Sequence, residues 1–130
     1  MGKGKTNKRK GSDAERIYAK VFRDLGFPQC ITARFGSRVH DDAGIDLINI
    51  PFNVQIKAGH QRGMNASKEL GKIDELVPKY FPKNAPEHTN INILIHRKHV
   101  GRGKKRGPYD DVVHLSFEDF ERLINMIQWD

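Results

Sequence analysis

The sequence predicts a single α/β domain, a central mixed β-sheet flanked by helices in the order α-β-β-β-α-β-β-α. Three observations lead there. Apolar residues recur at helical spacing near residues 12–25, 66–80 and 116–127. Between these stretches lie β-type runs: CITARF, GIDLINI, NVQIKA and INILIH. The length of 130 residues suffices for one hydrophobic core and is too small for two.

The segment through Gly11 is rich in Gly and Lys and has no hydrophobic period, so residues 1–11 are expected to form a disordered basic tail ahead of one domain over residues 12–130. From Ser12 to Leu25, Ala14, Ile17, Tyr18, Val21, Phe22 and Leu25 mark a helix, which Gly26 and Pro28 end. Cys30–Phe35 alternates as a first strand, and 36–44 reads as a polar loop holding Ser37, Asp41 and Asp42. Residues 44–50 and 53–58 look like a hairpin turned at Pro51.

A second helix spans roughly Ala66–Tyr80, with Leu70, Ile73, Leu76 and Val77 on one face and Pro78 near its end. Pro82 and Pro86 bound a loop into Ile91–His96, apolar enough for a central strand. The stretch to Pro108, including Gly101-x-Gly103, reads as a flexible connection to a short strand at Val112–Leu115. The last helix opens at Ser116 with Asp119 three residues on, like a capping box. Phe117, Phe120, Leu123, Ile124 and Ile127 are expected to be buried on it, and Trp129 to pack beneath it or at a dimer seam.

Charge narrows the function. The formal net charge is +7, yet it is concentrated in Lys3, Lys5, Lys8, Arg9 and Lys10 and in Arg97, Lys98, Arg102, Lys104, Lys105 and Arg106. Without these the chain has 12 basic against 16 acidic residues. Local basicity favours a polyanion-binding surface, and nucleic acid is the expected partner. Neither basic stretch has an apolar helical face, so no membrane contact is expected. The N-terminal residues lack an apolar h-region, no run approaches a membrane span, and Cys30 is the lone cysteine. An intracellular, cytoplasmic protein is expected.

Four positions carry candidate chemistry: Glu15, Asp46, Gln55 and Lys57. If the hairpin pairs Ile50 with Asn53, Asp46 stands opposite Lys57 and Ile48 opposite Gln55 on one face. A carboxylate and a lysine on an otherwise apolar hairpin are costly unless they pair or function. Glu15 falls at the edge of the first helix's apolar arc. Ser12-x-x-Glu15 also has capping-box spacing, which alone would account for it. His96-x-x-His99 is not expected to hold metal, and His40, His60, His88 and His114 are scattered.

The runs GSDAERIYAKVFRDLGF, TARFGS, GIDL and VQIK, taken in order, resemble the archaeal-type Holliday-junction resolvases of the PD-(D/E)XK nuclease superfamily, which phages also carry. The resemblance is close over residues 11–59 and looser beyond. It implies a restriction-endonuclease-like core and a homodimer that nicks opposite strands of a four-way DNA junction by metal-dependent phosphodiester hydrolysis. It also implies roles: Asp46 and Glu15 as Mg²⁺-binding carboxylates, and Lys57 as the group that orients water or stabilises developing charge. Arg16, Arg34 and Ser37, with Arg38 beside them, would face the DNA backbone, as would the Lys8–Lys10 and Arg97–Arg106 segments. Gln55 departs from the family pattern, standing where a glutamate is usual. Its amide oxygen can ligate Mg²⁺ or Mn²⁺ without contributing charge. Asp41 and Asp42 could compensate, or could form a solvated turn. Two alternatives stay open: a related nuclease acting on flaps, nicked or linear DNA, and a non-catalytic DNA-binding protein with a decayed site.

Overall fold

The computed structural model describes residues 2–59, 64–80 and 89–129; the side chains of Lys8, Arg9 and Lys10, with His60, Pro82, Pro86 and His88, lie outside the described residues. Its elements are α1 (Gly2–Asp24), β1 (Ile31–Thr32), α2 (Ala33–Gly36), α3 (Arg38–Asp42), β2 (Leu47–Ile48), β3 (Phe52–Ala58), α4 (Ala66–Tyr80), β4 (Ile91–Arg97), β5 (Asp111–His114) and α5 (Phe117–Met126).

The main sheet is mixed, with β4 in the centre, parallel to β3 and antiparallel to β5. A parallel pair needs a crossover, and α4 supplies it. The small β1–β2 pair is a separate antiparallel ribbon. One face of the main sheet packs on α1. Ala14, Tyr18 and Ala19 meet Val54 and Ile56 of β3 and Ile91, Ile93 and Ile95 of β4, with Cys30 and Leu47 in the same core. Alternation puts Leu94 on the other face, towards α4, whose Ile73 is also buried. Among the described residues no helix is long and apolar enough to cross a membrane.

Four local expectations are corrected. First, α1 runs through Ser12, which therefore caps nothing. Its buried arc is Ala14, Glu15, Tyr18 and Ala19, while Ile17 and Val21 are each 41% exposed. The arc turns because Glu15 finds a cationic partner inside. Second, the strand expected over Cys30–Phe35 is only Ile31–Thr32 and passes directly into the short helix α2, and the expected polar loop holds the short helix α3. Ser37 Oγ caps α3 by accepting from the His40 N–H at 3.3 Å.

Third, β2 and β3 do not form the expected hairpin ladder: Leu47 pairs with Thr32 and Ile48 with Ile31 on β1, so Asp46 is not opposite Lys57, nor Ile48 opposite Gln55. Asn49, at φ 65°, swings the chain away before β3 begins. Fourth, α5 is capped as expected, Ser116 Oγ accepting from Asp119 N–H at 3.0 Å, but its apolar residues are not all covered. Leu123 packs on the core, whereas Phe117 is 74% exposed and Phe120, Ile127 and Trp129 are exposed too. The Trp129 indole N–H is spent on the Ile124 carbonyl.

Candidate functional site at the edge of the sheet

Asp46 reaches the main sheet without belonging to its ladder. Its N–H donates to the Val54 carbonyl at 2.8 Å, and its Oδ2 accepts from the Ile56 N–H at 2.7 Å. The carboxylate thus takes the place of the carbonyl that a longer β2 would have offered β3. Its own carbonyl accepts from Ala33 N–H at 2.8 Å, tying the start of α2 to the same point. Gly44, at φ 80°, makes the turn just ahead, and a Cβ there would lie 3.5 Å from Gln55 Nε2.

Burial drives the Asp46 acid up to about 7, against the opposing hydrogen bond from Ile56; the Glu15 and Asp41 carboxylates push the same way as burial, and Lys57 pulls back. Four of the residues singled out in the sequence therefore share one electrostatic neighbourhood. The Asp41 charge is felt at Asp46, while Asp42 lies 3.9 Å from Arg38.

Glu15 is 4% exposed and held by Arg34 through a two-point clamp, Nε to Oε2 at 2.7 Å and Nη2 to Oε1 at 3.1 Å. This hydrogen bonding raises the Arg34 pKa above its ordinary value. The guanidinium also reaches Gly11 of α1, where a Cβ would make only an ordinary contact with Nη2, at 3.9 Å. Arg16 lies on the exposed side of α1 and pairs with Asp13 one turn back. Ser37, beyond its capping role, has Oγ 2.7 Å from His40 Nδ1.

Gln55 and Lys57 share a face of β3 by alternation. Lys57 is half-buried, with Nζ 3.9 Å from Glu69 Oε2; Lys72 approaches the other Glu69 oxygen at 3.6 Å. The sequence reading did not single out Glu69. The signal was the crossover itself, because the first turn of a helix leaving β3 returns over that strand's C-terminal end. Among the described residues, Gln55 Oε1 and Thr32 Oγ1 are buried without a hydrogen-bond partner.

These donors suit a hard divalent cation. All are oxygens, one is an orphaned amide carbonyl, and one is a buried acid that a nearby cation would ionise. Among the described residues no three His, Cys, Asp or Glu side chains stand close enough to hold a metal by themselves. Of the candidate oxygen donors, Glu15 is engaged by Arg34.

The basic segment is more ordered than a plain connection. Arg97 Nη1 donates to Asp111 Oδ1 at 3.0 Å and Arg106 Nε to Asp111 Oδ2 at 3.1 Å; the Tyr18 hydroxyl donates to the same carboxylate. Burial would raise the Asp111 acid, but Tyr18, Arg106 and Arg97 outweigh it and hold it below its ordinary value. Burial and the Asp111 contact push the Tyr18 phenol up to about 12. Lys98 N–H closes on the Asp110 carbonyl at 2.7 Å, and a turn joins Lys104 N–H to the Gly101 carbonyl. Arg97 and Arg106 are therefore structural pins, whereas Lys98, Arg102, Lys104 and Lys105 are exposed. Because Ala58 pairs with Arg97 and Lys57 with His96, this arm leaves the sheet at the end where Lys57 lies. The His96 Nε2–H donates to the Gly59 carbonyl at 3.1 Å and ties that end together.

No family model, curated protein or solved structure matches the chain.

Proposed function

We propose that the chain is a Mg²⁺-dependent DNA endonuclease with a restriction-endonuclease-like core, acting on branched DNA and most specifically on four-way junctions. The observation that carries this is a buried Asp46, its acid raised to about 7 and pulled back by the Lys57 charge, together with the unpartnered buried Oε1 of Gln55, two residues before Lys57 on β3. Asp46 and Gln55 would hold the cation, with Mn²⁺ as a substitute. Bound there, it would supply an activated water and shield phosphate charge. Lys57, kept half-buried by Glu69, adds positive charge where the phosphate gains negative charge. The exposed lysines and Arg102 of the β4–β5 arm bind flanking phosphates and read shape more than sequence. Uncovered Phe117 and Phe120 on α5, with Ile127 at its C-cap, offer apolar surface to a second copy, which a symmetric two-strand cut requires.

One observation favours a second reading, that of a DNA-binding protein without catalysis. Glu15 is already saturated by Arg34, and Gln55 brings no charge.

The test compares an end-labelled four-way junction with its matched linear duplex, in Mg²⁺ and in EDTA, for wild type and Lys57→Ala. Paired symmetric nicks confined to the junction, lost in EDTA and in the variant, are expected. Equal cutting of both substrates would make the protein a general nuclease. Tight junction binding with no cutting in Mg²⁺ or Mn²⁺ would leave the binding protein.

A further inference from the structure

We infer that Arg34 couples cation binding to DNA binding: without DNA it occupies Glu15, and a backbone phosphate draws the guanidinium away, freeing Glu15 as a third oxygen donor beside Asp46 and Gln55. The inference rests on the nuclease-type reading of this site and adds to it an order of assembly.

The geometry supplies both halves of the exchange. Glu15 is buried on α1 and its two oxygens are satisfied by Arg34. A buried carboxylate stripped of its partner is unfavourable, so a Glu15 vacated by Arg34 gains strongly from a cation that replaces it. The Arg34 side chain, in contrast, is 45% exposed and uses only Nε and Nη2 on Glu15, leaving its outer edge open to an incoming anion. A guanidinium fork matches phosphate as well as carboxylate, so little is lost on transfer.

The backbone need not follow. Ala33 N–H is fixed to the Asp46 carbonyl at 2.8 Å, so a side-chain rotation suffices and Arg34 stays anchored next to the site. With Arg34 in place, both Glu15 oxygens are occupied. Glu15 is closed in this state, and its release is what a third protein ligand requires. Linkage then makes each partner tighten the other.

Two measurements test this without relying on cleavage. In the first, Mn²⁺ alone is titrated by electron paramagnetic resonance into wild type, Arg34→Gln and Arg34→Lys, and into the Gln variant carrying Asp46→Asn. Arg34→Gln should bind Mn²⁺ about tenfold more tightly than wild type. Arg34→Lys, which keeps the charge but loses the fork, should fall between, and Asp46→Asn should remove the binding. In the second, wild type labelled with ¹⁵N-arginine is titrated with a four-way junction in EDTA, where the Arg34 Nε–H resonance should move away from its Glu15-paired position.

Equal Mn²⁺ affinity in wild type and Arg34→Gln, abolished by Asp46→Asn, would overturn the coupling and leave the metal site standing. Mn²⁺ binding absent throughout, or indifferent to Asp46→Asn, would overturn the site reading and the coupling with it. An Arg34 resonance unmoved by saturating junction would also overturn the coupling. That arm uses wild type, so it decides even if Arg34→Gln fails to fold.

Discussion

Asp46 and Ile56 stand in a relationship that belongs to a β-ladder in all but its atoms: the Ile56 N–H donates to a side-chain carboxylate at 2.7 Å where a strand partner would present a carbonyl. The fold thereby draws a charged group into the edge of a sheet, and the group's ionisation becomes part of the protein's stability.

Asp46→Asn should stabilise the metal-free protein at neutral and higher pH. The sign follows from linkage. The folded-state acid titrates near 7 and the unfolded one near 3.8, so the folded protein binds the extra proton between them. Wild type is therefore relatively stable below about 4 and loses stability as pH rises through about 7. The variant has no such loss, and its advantage should grow over that window to roughly 2–4 kcal/mol, the lower end reflecting partial solvent access. Urea unfolding at pH 4, 5.5 and 8 in EDTA checks it; a constant difference across the series would refute it. The same variant should cut DNA at least about a hundredfold more slowly if Asp46 holds the cation.

Gln55→Glu should trade stability for metal affinity. A fourth carboxylate, added to Asp46, Glu15 and Asp41, puts more like charge into a buried neighbourhood, so the metal-free variant should melt at lower urea than wild type by roughly 1–3 kcal/mol. Mg²⁺ should recover that loss and bind about tenfold more tightly than in wild type. Paired unfolding curves with and without 10 mM Mg²⁺, a concentration of about the usual assay range, show whether the two effects cancel. A variant destabilised alike in both conditions would mean that Gln55 does not face the cation.

Much of this was legible in the chain. The α4 helix, the β4 run and the Ser116 cap follow from period and capping chemistry, which act locally. The order Glu15, Asp46, Gln55, Lys57 could also be read, since these residue types are conspicuous among apolar neighbours. What could not be read were pairings made at a distance. Counting Glu15 as polar placed Ile17 and Val21 inside, because its partner Arg34 is 19 residues away. The alternation of GIDLINI gave the strand but not its neighbour: β1 takes Leu47 and Ile48, and Asp46 is left to bond the main sheet with its side chain. The apolar face of α5 was legible as a face, but periodicity does not say what covers it.

Tyr18→Phe should loosen the hold of α1 on the basic arm. The Tyr18 hydroxyl donates to Asp111, which also receives Arg97 and Arg106, and the Arg97 guanidinium lies 6.0 Å from the Tyr18 ring centre. The loss should be roughly 1–2 kcal/mol at neutral pH. The phenol's folded value of about 12 lies above its ordinary 10, so the stabilisation is complete below 10 and fades as pH rises through about 12. Tyrosinate absorbance should show one transition near 12 in wild type that vanishes in the variant. Three ordinary transitions in wild type would mean that the Tyr18–Asp111 contact is not formed in solution.

The six basic residues of the arm should separate into two classes. Arg97 and Arg106 are pinned on Asp111, and replacing either by Ala should lower stability by roughly 1–3 kcal/mol through the hydrogen bonds it removes. Lys98, Arg102, Lys104 and Lys105 are exposed, and replacing all four by Ala should leave unfolding within roughly 0.5 kcal/mol per site. Their loss should appear in DNA binding instead. Each lysine or arginine that neutralises a phosphate steepens the salt dependence of affinity by roughly 0.9 in the slope of log K against log salt, so the quadruple variant should flatten that slope by roughly 3 to 4. Fluorescence anisotropy on a labelled junction at several salt concentrations reads it directly. An unchanged slope would take the arm off the DNA, and an equal flattening from Arg106→Ala alone would mean that the Asp111 pin opens when DNA binds.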